Sequence, residues 1–453
     1  MHKDICSCDI SLQDPTARAE WDKLVVGFLA HTQSTPTHLG AVLEREPGFA
    51  MAQAARGIFS LMMGKSELAQ VGAEADKIAQ RALAAGGATK RERLWCEALS
   101  VWVKGRPSAA VVCMEECLRL NPADTLSAKV CHAIRFIMGD NHGMRRSIER
   151  VMPAHGKDHP LRGYALGCLA FTQEETGSYR AAEKSGLLAL QHTNNDAWGL
   201  HALAHVYDMT NRPDCGIDLI QTNAAAWVHC NNFRYHVWWH QALLHLDRRE
   251  YDLVLDLYDT KIRQDKTDDY RDFSNASSLL IRLELDGVDV GDRWTELADL
   301  AESRSTDGCL VFADLHYMLA LAGDNRTDAV ARMTARVARD ASAANEQAYV
   351  MGNPGLDTAQ GLAAFGEGQY DAAFAKLSAA QPQFQIMGGS HAQRDVFERI
   401  TIDAGLSAGR LEAAETLLLE RTRLRNGCED AYTAARMQMI TDARALQGSV
   451  AAE

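Results

Sequence analysis

The chain has 453 residues, with 60 acidic and 47 basic side chains and a formal net charge of −13. A surface of that sign repels phosphate backbones and anionic lipid, so neither nucleic acid nor membrane is an expected partner. The densest basic stretch, Arg421, Arg423 and Arg425, lies among leucines and acids, and we interpret it as the polar face of a late helix.

The remaining composition favours helices. No apolar run approaches the roughly 20 residues of a membrane helix, and no signal-peptide segment is expected at the N-terminus. The eleven cysteines include no Cys-x-x-Cys pair, which predicts reduced thiols in a cytoplasmic protein. Prolines are few and β-hairpin signals are missing, so helix hairpins are predicted from about residue 16 to 444, with no β-sheet. The first ~15 and last ~6 residues are expected to fray.

The clearest helix hairpin covers residues 166–194. Its pattern of large, Leu, small, Gly, Tyr, Ala and Ala is carried by Leu166, Leu169, Ala170, Gly177, Tyr179, Ala182 and Ala189. This order follows the 34-residue tetratricopeptide pattern, in which small residues let paired helices approach. Adding that period to the first three residues reaches Leu200, Leu203 and Ala204, which repeat the large, Leu, small order.

Further units follow near Ala242 and from Gly368 onward. We therefore predict an all-α, tetratricopeptide-like helical-hairpin solenoid of about twenty helices, wound as a superhelix. The clearest repeats are at 160–265 and 355–380, and residues 1–453 are predicted to form a single domain. Small residues at four positions should be buried at helix contacts, namely Ala170, Ala182, Ala204 and Ala242.

A concentration of histidines distinguishes the region from 201 to 245. His201 and His205 are four residues apart on one predicted helix, and His236 and His240 repeat that spacing on the first helix of the next unit. Residues at this spacing share a helix face. Because sequential first helices lie side by side in such solenoids, the four imidazoles are predicted to converge.

The register of these helices predicts a groove. In tetratricopeptide proteins as a family, positions 2, 5, 9, 12 and 13 of the first helix line the concave surface. Those positions include Trp198, His201, His205 and Asp208 on one helix, and His236 and Trp239 on the next.

Imidazole is the commonest protein ligand of borderline metals such as zinc, iron, copper and nickel. The same rings without a metal could act as general acid and base. The alternative is that the histidines are ordinary packing residues, since a spacing of four often arises by chance; two pairs in successive units favour function. His229 and His245 lack such partners and are interpreted as structural.

These residues lead to a family resemblance. Blocks at Asp196–Met209, His236–Leu243 and Gly388–Phe397 resemble the tetratricopeptide repeat protein 38 family, as do Asp314 and His316. The resemblance covers most of the chain but is poor over the N-terminal ~40 residues. That family has no well-established activity. The resemblance adds five candidate site residues: Asp314, His316, Gln393, Arg394 and Asp395. His391 is given less weight, because relatives need not have histidine at that position.

Two functional hypotheses follow. The first is an internal small-molecule site, metal- or histidine-dependent and enzymatic, in which the four histidines bind zinc, iron or copper, or act as acid and base. Asp314, His316 and Asp395 would complete it, and Arg394 would clamp an anionic group. Asp314 or Asp395 is expected within hydrogen-bond reach of a histidine or of Arg394. Substrate contacts are predicted from Trp198, Asp208, Trp239, Gln393 and Arg394.

The second hypothesis is a protein scaffold that binds a partner segment in its concave groove. The two hypotheses differ in whether that groove is open to solvent or filled by the C-terminal helices. Imidazoles, indoles and acids at groove positions favour the first hypothesis.

Overall fold

A computed structural model describes the backbone of residues 2–450 and the side chains of residues 2–447. Two short strands are β1 His2–Lys3 and β2 Asp9–Ile10. The helices of the N-terminal half are α1 Pro15–Leu29, α2 Thr35–Arg45, α3 Ala50–Leu61, α4 Ser66–Ala84, α5 Lys90–Val103, α6 Pro107–Leu120, α7 Thr125–Ile137, α8 Asn141–Val151, α9 Arg162–Glu174, α10 Tyr179–His192, α11 Ala197–Met209 and α12 Pro213–Thr222.

The helices of the C-terminal half are α13 Phe233–Asp247, α14 Tyr251–Leu257, α15 Tyr270–Leu285, α16 Arg293–Arg304, α17 Val311–Gly323, α18 Thr327–Asp340, α19 Glu346–Val350, α20 Leu356–Gly366, α21 Tyr370–Ala380, α22 His391–Ser407, α23 Leu411–Leu424 and α24 Ala431–Val450. Short 3-10 or π-helical turns occur at Met152–Ala154, Ala224–Ala226, Tyr258–Ile262, Met351–Gly355 and Gln381–Met387. None of the described helices is long and apolar enough to cross a membrane.

Sequential helices pack as hairpins around alanine contacts, as predicted. Ala170 and Ala182 are buried between α9 and α10, and Ala204 and Ala242 are buried on α11 and α13. Small side chains allow the helix backbones to approach, and the large residues of the pattern fill the space beside them. All eleven cysteines are free thiols, as expected.

The N-terminal segment corrects two predictions. β1 and β2 pair in an antiparallel two-stranded sheet, although no sheet was expected. The segment is packed and not frayed, because Cys6, Ile10 and Leu12 are fully buried. Arg91 anchors it by donating to Asp4 at 2.6 Å. Because polar residues stand between the apolar ones in this segment, the sequence does not indicate that the segment covers the first helices. At the other end, α24 continues to Val450, and residues 451–453, also expected to fray, lie outside the described residues.

The superhelix closes on itself. The carbonyl of Gly139 accepts from the Gln385 side chain at 2.8 Å, and a Cβ atom at Gly139 would lie 1.8 Å from the Gln385 carbonyl oxygen. Elsewhere Lys65 pairs with Asp268 at 2.5 Å across two hundred residues of sequence. As a result, α22 packs against α15, and its first residue, His391, reaches the end of α9.

Candidate metal centre

Four histidines converge on one point between α11 and α13. The Nε2 atom of His201 lies 2.8 Å from Nε2 of His205 and 2.9 Å from Nε2 of His236. Nε2 of His236 lies in turn 3.2 Å from Nε2 of His240. The predicted convergence is confirmed. We call these four residues the histidine cluster.

Glycines let α11 approach the preceding hairpin closely enough to place these rings. A Cβ atom at Gly167 of α9 would lie 2.2 Å from the Asp196 carboxylate, which immediately precedes α11. A Cβ atom at Gly199 would meet the same carboxylate at 2.4 Å. Within each helix the spacing of four puts both imidazoles on one face.

The histidine cluster is largely buried, as the internal-site hypothesis expects and unlike the open groove that the scaffold hypothesis expects. His201 and His240 are 2% exposed and His205 is fully buried, while His236 is half-buried. Trp198 and Trp239, predicted to contact substrate, are also buried and pack their rings against His201 and His236 respectively. Closure of the superhelix covers the positions that an open array would expose.

Burial keeps the imidazoles of His201, His236 and His240 neutral. It lowers the pKa of His236 to about 3, and burial together with the neighbouring rings holds the pKa values of His201 and His240 well below their ordinary value. A neutral imidazole has one nitrogen with a free lone pair. These rings can therefore bind a cation without first losing an added proton at neutral pH.

Outer contacts fix which nitrogen faces the centre. Nδ1 of His236 lies 2.9 Å from the Asn275 side-chain oxygen, so this nitrogen donates and Nε2 keeps its lone pair. Nδ1 of His205 lies 3.3 Å from Oε2 of Glu174. Carboxylate and amide oxygens play this role behind metal-bound histidines, where they set tautomer and orientation. Asn275 had no sequence signal, because it is a single asparagine on another helix.

A second group of side chains adjoins the first through His205. Glu174, Glu175, His205 and His391 each offer a ligand atom, and these atoms lie within 4.8 Å of one another. Burial raises the pKa of Glu174. For His391, burial opposes protonation, but Glu175 and Glu174 raise its pKa to about 9. The adjacent acids at the end of α9 are not among the residues singled out from the sequence, and His391, which is given less weight from the sequence, lies beside them.

Asp314 and His316 of α17 do not join the histidine cluster. Asp314 pairs with Arg336 of α18 at 2.7 Å, and burial raises its pKa to about 6. Nδ1 of His316 donates to the Phe312 carbonyl at 2.7 Å, and its ring packs against Phe397. The expected link from Asp314 to a histidine or to Arg394 is wrong, because the adjacent helix supplies the arginine.

Asp395 belongs to a separate group. Its carboxylate lies 2.6 Å from Arg421 and 2.7 Å from Arg399, and Arg421 also pairs with Asp430 at 2.6 Å. We call these four residues the arginine–aspartate cluster. The prediction that Asp395 pairs with Arg394 or a histidine is therefore wrong. The basic stretch interpreted as the polar face of a late helix does lie at the end of α23, but Arg421 and Arg425 are buried and only Arg423 is exposed.

Arg394, Gln393 and Asp208 have mainly structural contacts. Arg394 donates to the Gly389 carbonyl and to Gln385, and one nitrogen lies 3.5 Å from Glu175. Gln393 forms a capping box with Ser390 at the start of α22. Asp208 pairs with Arg425 at 3.1 Å.

Asp208 and Asp395 line one cavity. It encloses about 20 Å³, which is room for roughly one water molecule and not for a substrate.

No family model matches the chain. A tetratricopeptide repeat protein from Parabacteroides merdae is similar among solved structures, with 13% identity over 69% of this chain and 98% of that chain, at a TM-score of 0.34. The class follows from the architecture described above. The chain is an all-α helical-repeat protein whose hairpins are tetratricopeptide-like.

Proposed function

We propose that this protein is a metal-binding helical-repeat protein of the cytoplasm, in which the histidine cluster binds a divalent transition metal such as zinc, iron or copper. The observation that carries the proposal is the convergence of four imidazole nitrogens, three of them on buried residues. Borderline metals prefer such ligands. Membership of the tetratricopeptide repeat protein 38 family is part of the same proposal.

The spacing of the four nitrogens supports an ion at their centre. Zinc bound at about 2.0–2.1 Å by four nitrogens in a tetrahedron places those nitrogens roughly 3.3–3.4 Å apart. The observed separations of 2.8, 2.9 and 3.2 Å are slightly shorter. Along these three contacts the rings would need to move apart by roughly 0.1–0.6 Å to admit the ion, and all four ligand atoms lie within 4.8 Å of one another.

Charge balance supports the same reading. Four neutral ligands leave the charge of a divalent ion uncompensated, and a buried unpaired charge is costly. The carboxylate of Glu174 lies directly behind His205, and Glu175 is next to it. These acids would place negative charge one ring away from the ion.

The ligand count bears on catalysis. Sites with four protein ligands are typical of stable metal binding, whereas catalytic sites keep a position for water or substrate. The half-buried His236 is the ligand at which such a position would open. A small-molecule reaction at this centre therefore requires displacement or movement of His236.

A protein scaffold remains the alternative function, because helical repeats commonly bind partner segments. That function needs an accessible concave groove. Trp198, His201 and His205, which occupy the expected groove positions, are buried. The burial of these residues favours metal binding over peptide binding at this place.

Elemental analysis of the full chain, purified without an affinity tag, tests the proposal. The wild type should carry at least one equivalent of transition metal per chain, and His236→Asn should lose one equivalent. His155→Asn is the matched control, because His155 is buried but hydrogen-bonds to Thr125 and Val151 in another hairpin. Wild-type protein that takes up no zinc, iron or copper even after incubation with each metal would overturn the proposal.

A further inference from the structure

A second donor set lies on the opposite side of the His205 ring from the histidine cluster. Glu174 ends α9, Glu175 follows it, and His391 begins α22. Together with Nδ1 of His205 they place two carboxylate oxygens and two ring nitrogens within 4.8 Å of one another. Nε2 of His205 meanwhile faces the histidine cluster.

The contacts of Glu174 resemble those between neighbouring ligands of one ion. Its oxygens lie 3.3 Å from Nδ1 of His205 and 2.9 Å from Nε2 of His391. Among the described residues neither oxygen has a partner in hydrogen-bond geometry, although Glu174 is only 1% exposed. Ligands of one metal approach this closely while their lone pairs point at the ion and not at each other. A buried carboxylate is costly without compensation, which here comes either from a bound ion or from a protonated His391.

Glu175 is held in place by hydrogen bonds that leave it able to accept more. Its Oε1 accepts from the backbone N–H of His391 at 2.9 Å, and its Oε2 accepts from Asn141 at 2.7 Å. A carboxylate has about four lone-pair sites, so these donors orient it without saturating it. Such outer hydrogen bonds accompany carboxylates that bind metals.

We infer that Glu174, Glu175 and His391 form a second divalent transition-metal site, bridged by the His205 ring to the ion at the histidine cluster. The inference rests on the proposed function for the first ion. With metal–nitrogen distances of about 2.0–2.1 Å on both ring nitrogens, the two ions would lie roughly 6 Å apart. Binding of the second ion releases the Nδ1 proton of His205, which becomes imidazolate, and the extra proton of His391, both to solvent.

The two sites differ in chemistry. The histidine cluster offers nitrogen only, whereas the second site offers two oxygens and two nitrogens and brings its own negative charge. Zinc accepts both donor sets. The competing occupant of the second site is a proton on His391, held between the two carboxylates as an ion pair.

Zinc stoichiometry across single variants tests the bridge. Untagged full-length protein is stripped with chelator, loaded with Zn²⁺, desalted and measured by elemental analysis, with helix content checked by circular dichroism. Wild type should hold two equivalents, Glu175→Gln one, His236→Asn one, and His205→Asn none or far less than one. Glu183→Gln is the control, because Glu183 pairs with Arg212 and should leave two equivalents bound.

Each other outcome is decisive. One equivalent in wild type that is lost in His236→Asn and kept in Glu175→Gln overturns the second site but leaves the first. One equivalent lost in Glu175→Gln and kept in His236→Asn overturns the proposed histidine site and the bridge. A full equivalent retained by folded His205→Asn overturns the bridge, and no zinc in wild type overturns both proposals. The number of zinc equivalents in the wild type tests both proposals even where a variant does not fold.

Discussion

The histidine cluster and the arginine–aspartate cluster are both largely buried and both built from ionisable side chains, but their charges are arranged differently. In the arginine–aspartate cluster, Asp395 and Asp430 each lie 2.6 Å from Arg421. In the histidine cluster, the imidazole rings turn their Nε2 atoms toward one another. The charges of one group are paired within it, whereas the other gathers four ring nitrogens at a common point.

This difference distinguishes a cluster that stabilises the fold from a cluster that can bind a ligand. Buried ion pairs compensate their desolvation internally, so they hold helices together and need no ligand. Converging neutral donors gain little from each other and gain much from a cation. Clustering of ionisable residues alone therefore does not identify a site; the decisive property is whether the charges and lone pairs are already matched.

The largest expected effect on stability comes from breaking the arginine–aspartate cluster. Arg421→Met removes the arginine that Asp395 and Asp430 share. Asp395 keeps Arg399, but the buried Asp430 loses its closest cation, which should cost about 3–5 kcal/mol. Urea unfolding measures the loss, and metal content should not change. Arg423→Met is the control, because Arg423 lies on the same helix and is exposed. A variant that lost metal without losing stability would reverse the roles assigned to the two clusters.

Metal should stabilise the folded chain by a comparable amount. An ion that binds only the native state adds about 4 kcal/mol when its free concentration is 1,000 times Kd. Zinc added to chelator-treated protein should therefore raise the melting temperature, and Arg421→Met should show the same rise from a lower starting value. In His201→Ala the rise should be much smaller, since His201 contacts both His205 and His236. An equal rise in His201→Ala would contradict the assignment of the ligands.

Much of the fold could be predicted from sequence, because the alanine pattern that packs hairpins repeats at a fixed spacing. The pairing of His201 with His205, and of His236 with His240, followed from the same helical geometry. The partners of Asp314 and Asp395 could not be predicted in this way. They depend on how the superhelix closes, and closure depends on scattered contacts such as Gly139 with Gln385.

A smaller effect is expected from Asn275, which orients His236 without touching the ion. Asn275→Ala removes the acceptor at Nδ1 and should weaken zinc affinity about 10–100-fold, the usual effect of removing such an outer contact. Competition with a chromophoric chelator measures this affinity. Ser274→Ala, one residue away, should leave it within a factor of about two of wild type if only the ring contact matters. Equal losses in both variants would point to general disruption of α15.

The smallest expected effect, per pH unit, is the loss of stability of the metal-free protein in acid. In metal-free protein the pKa of His236 is lowered to about 3, so below pH ~6.5 the unfolded chain takes up a proton that the folded chain does not. Unfolding free energy should fall by about 1.4 kcal/mol per pH unit for each such histidine between those values. Urea titrations from pH 7.5 to 5, with chelator present, measure the slope, and zinc should delay its onset.

The arginine–aspartate cluster should lose its stabilising effect only at lower pH. Although burial favours its neutral form, Arg421 and Arg425 lower the pKa of Asp430 below its ordinary value. The contribution of Asp430 to the free energy of unfolding is therefore complete above pH ~4 and is lost as pH falls further.

A free energy of unfolding that stayed flat from pH 6.5 to 5 would contradict the neutral state assigned to the buried histidines.

An anomalous difference map tests the central claim most directly. Crystals of untagged, zinc-loaded protein would be measured on both sides of the zinc absorption edge. Metal binding by the histidine cluster predicts a peak about 2.0–2.1 Å from Nε2 of His201, His205, His236 and His240. A map without a peak there, with the ring nitrogens still hydrogen-bonded to one another, would show that the histidine cluster is a packing feature of the fold.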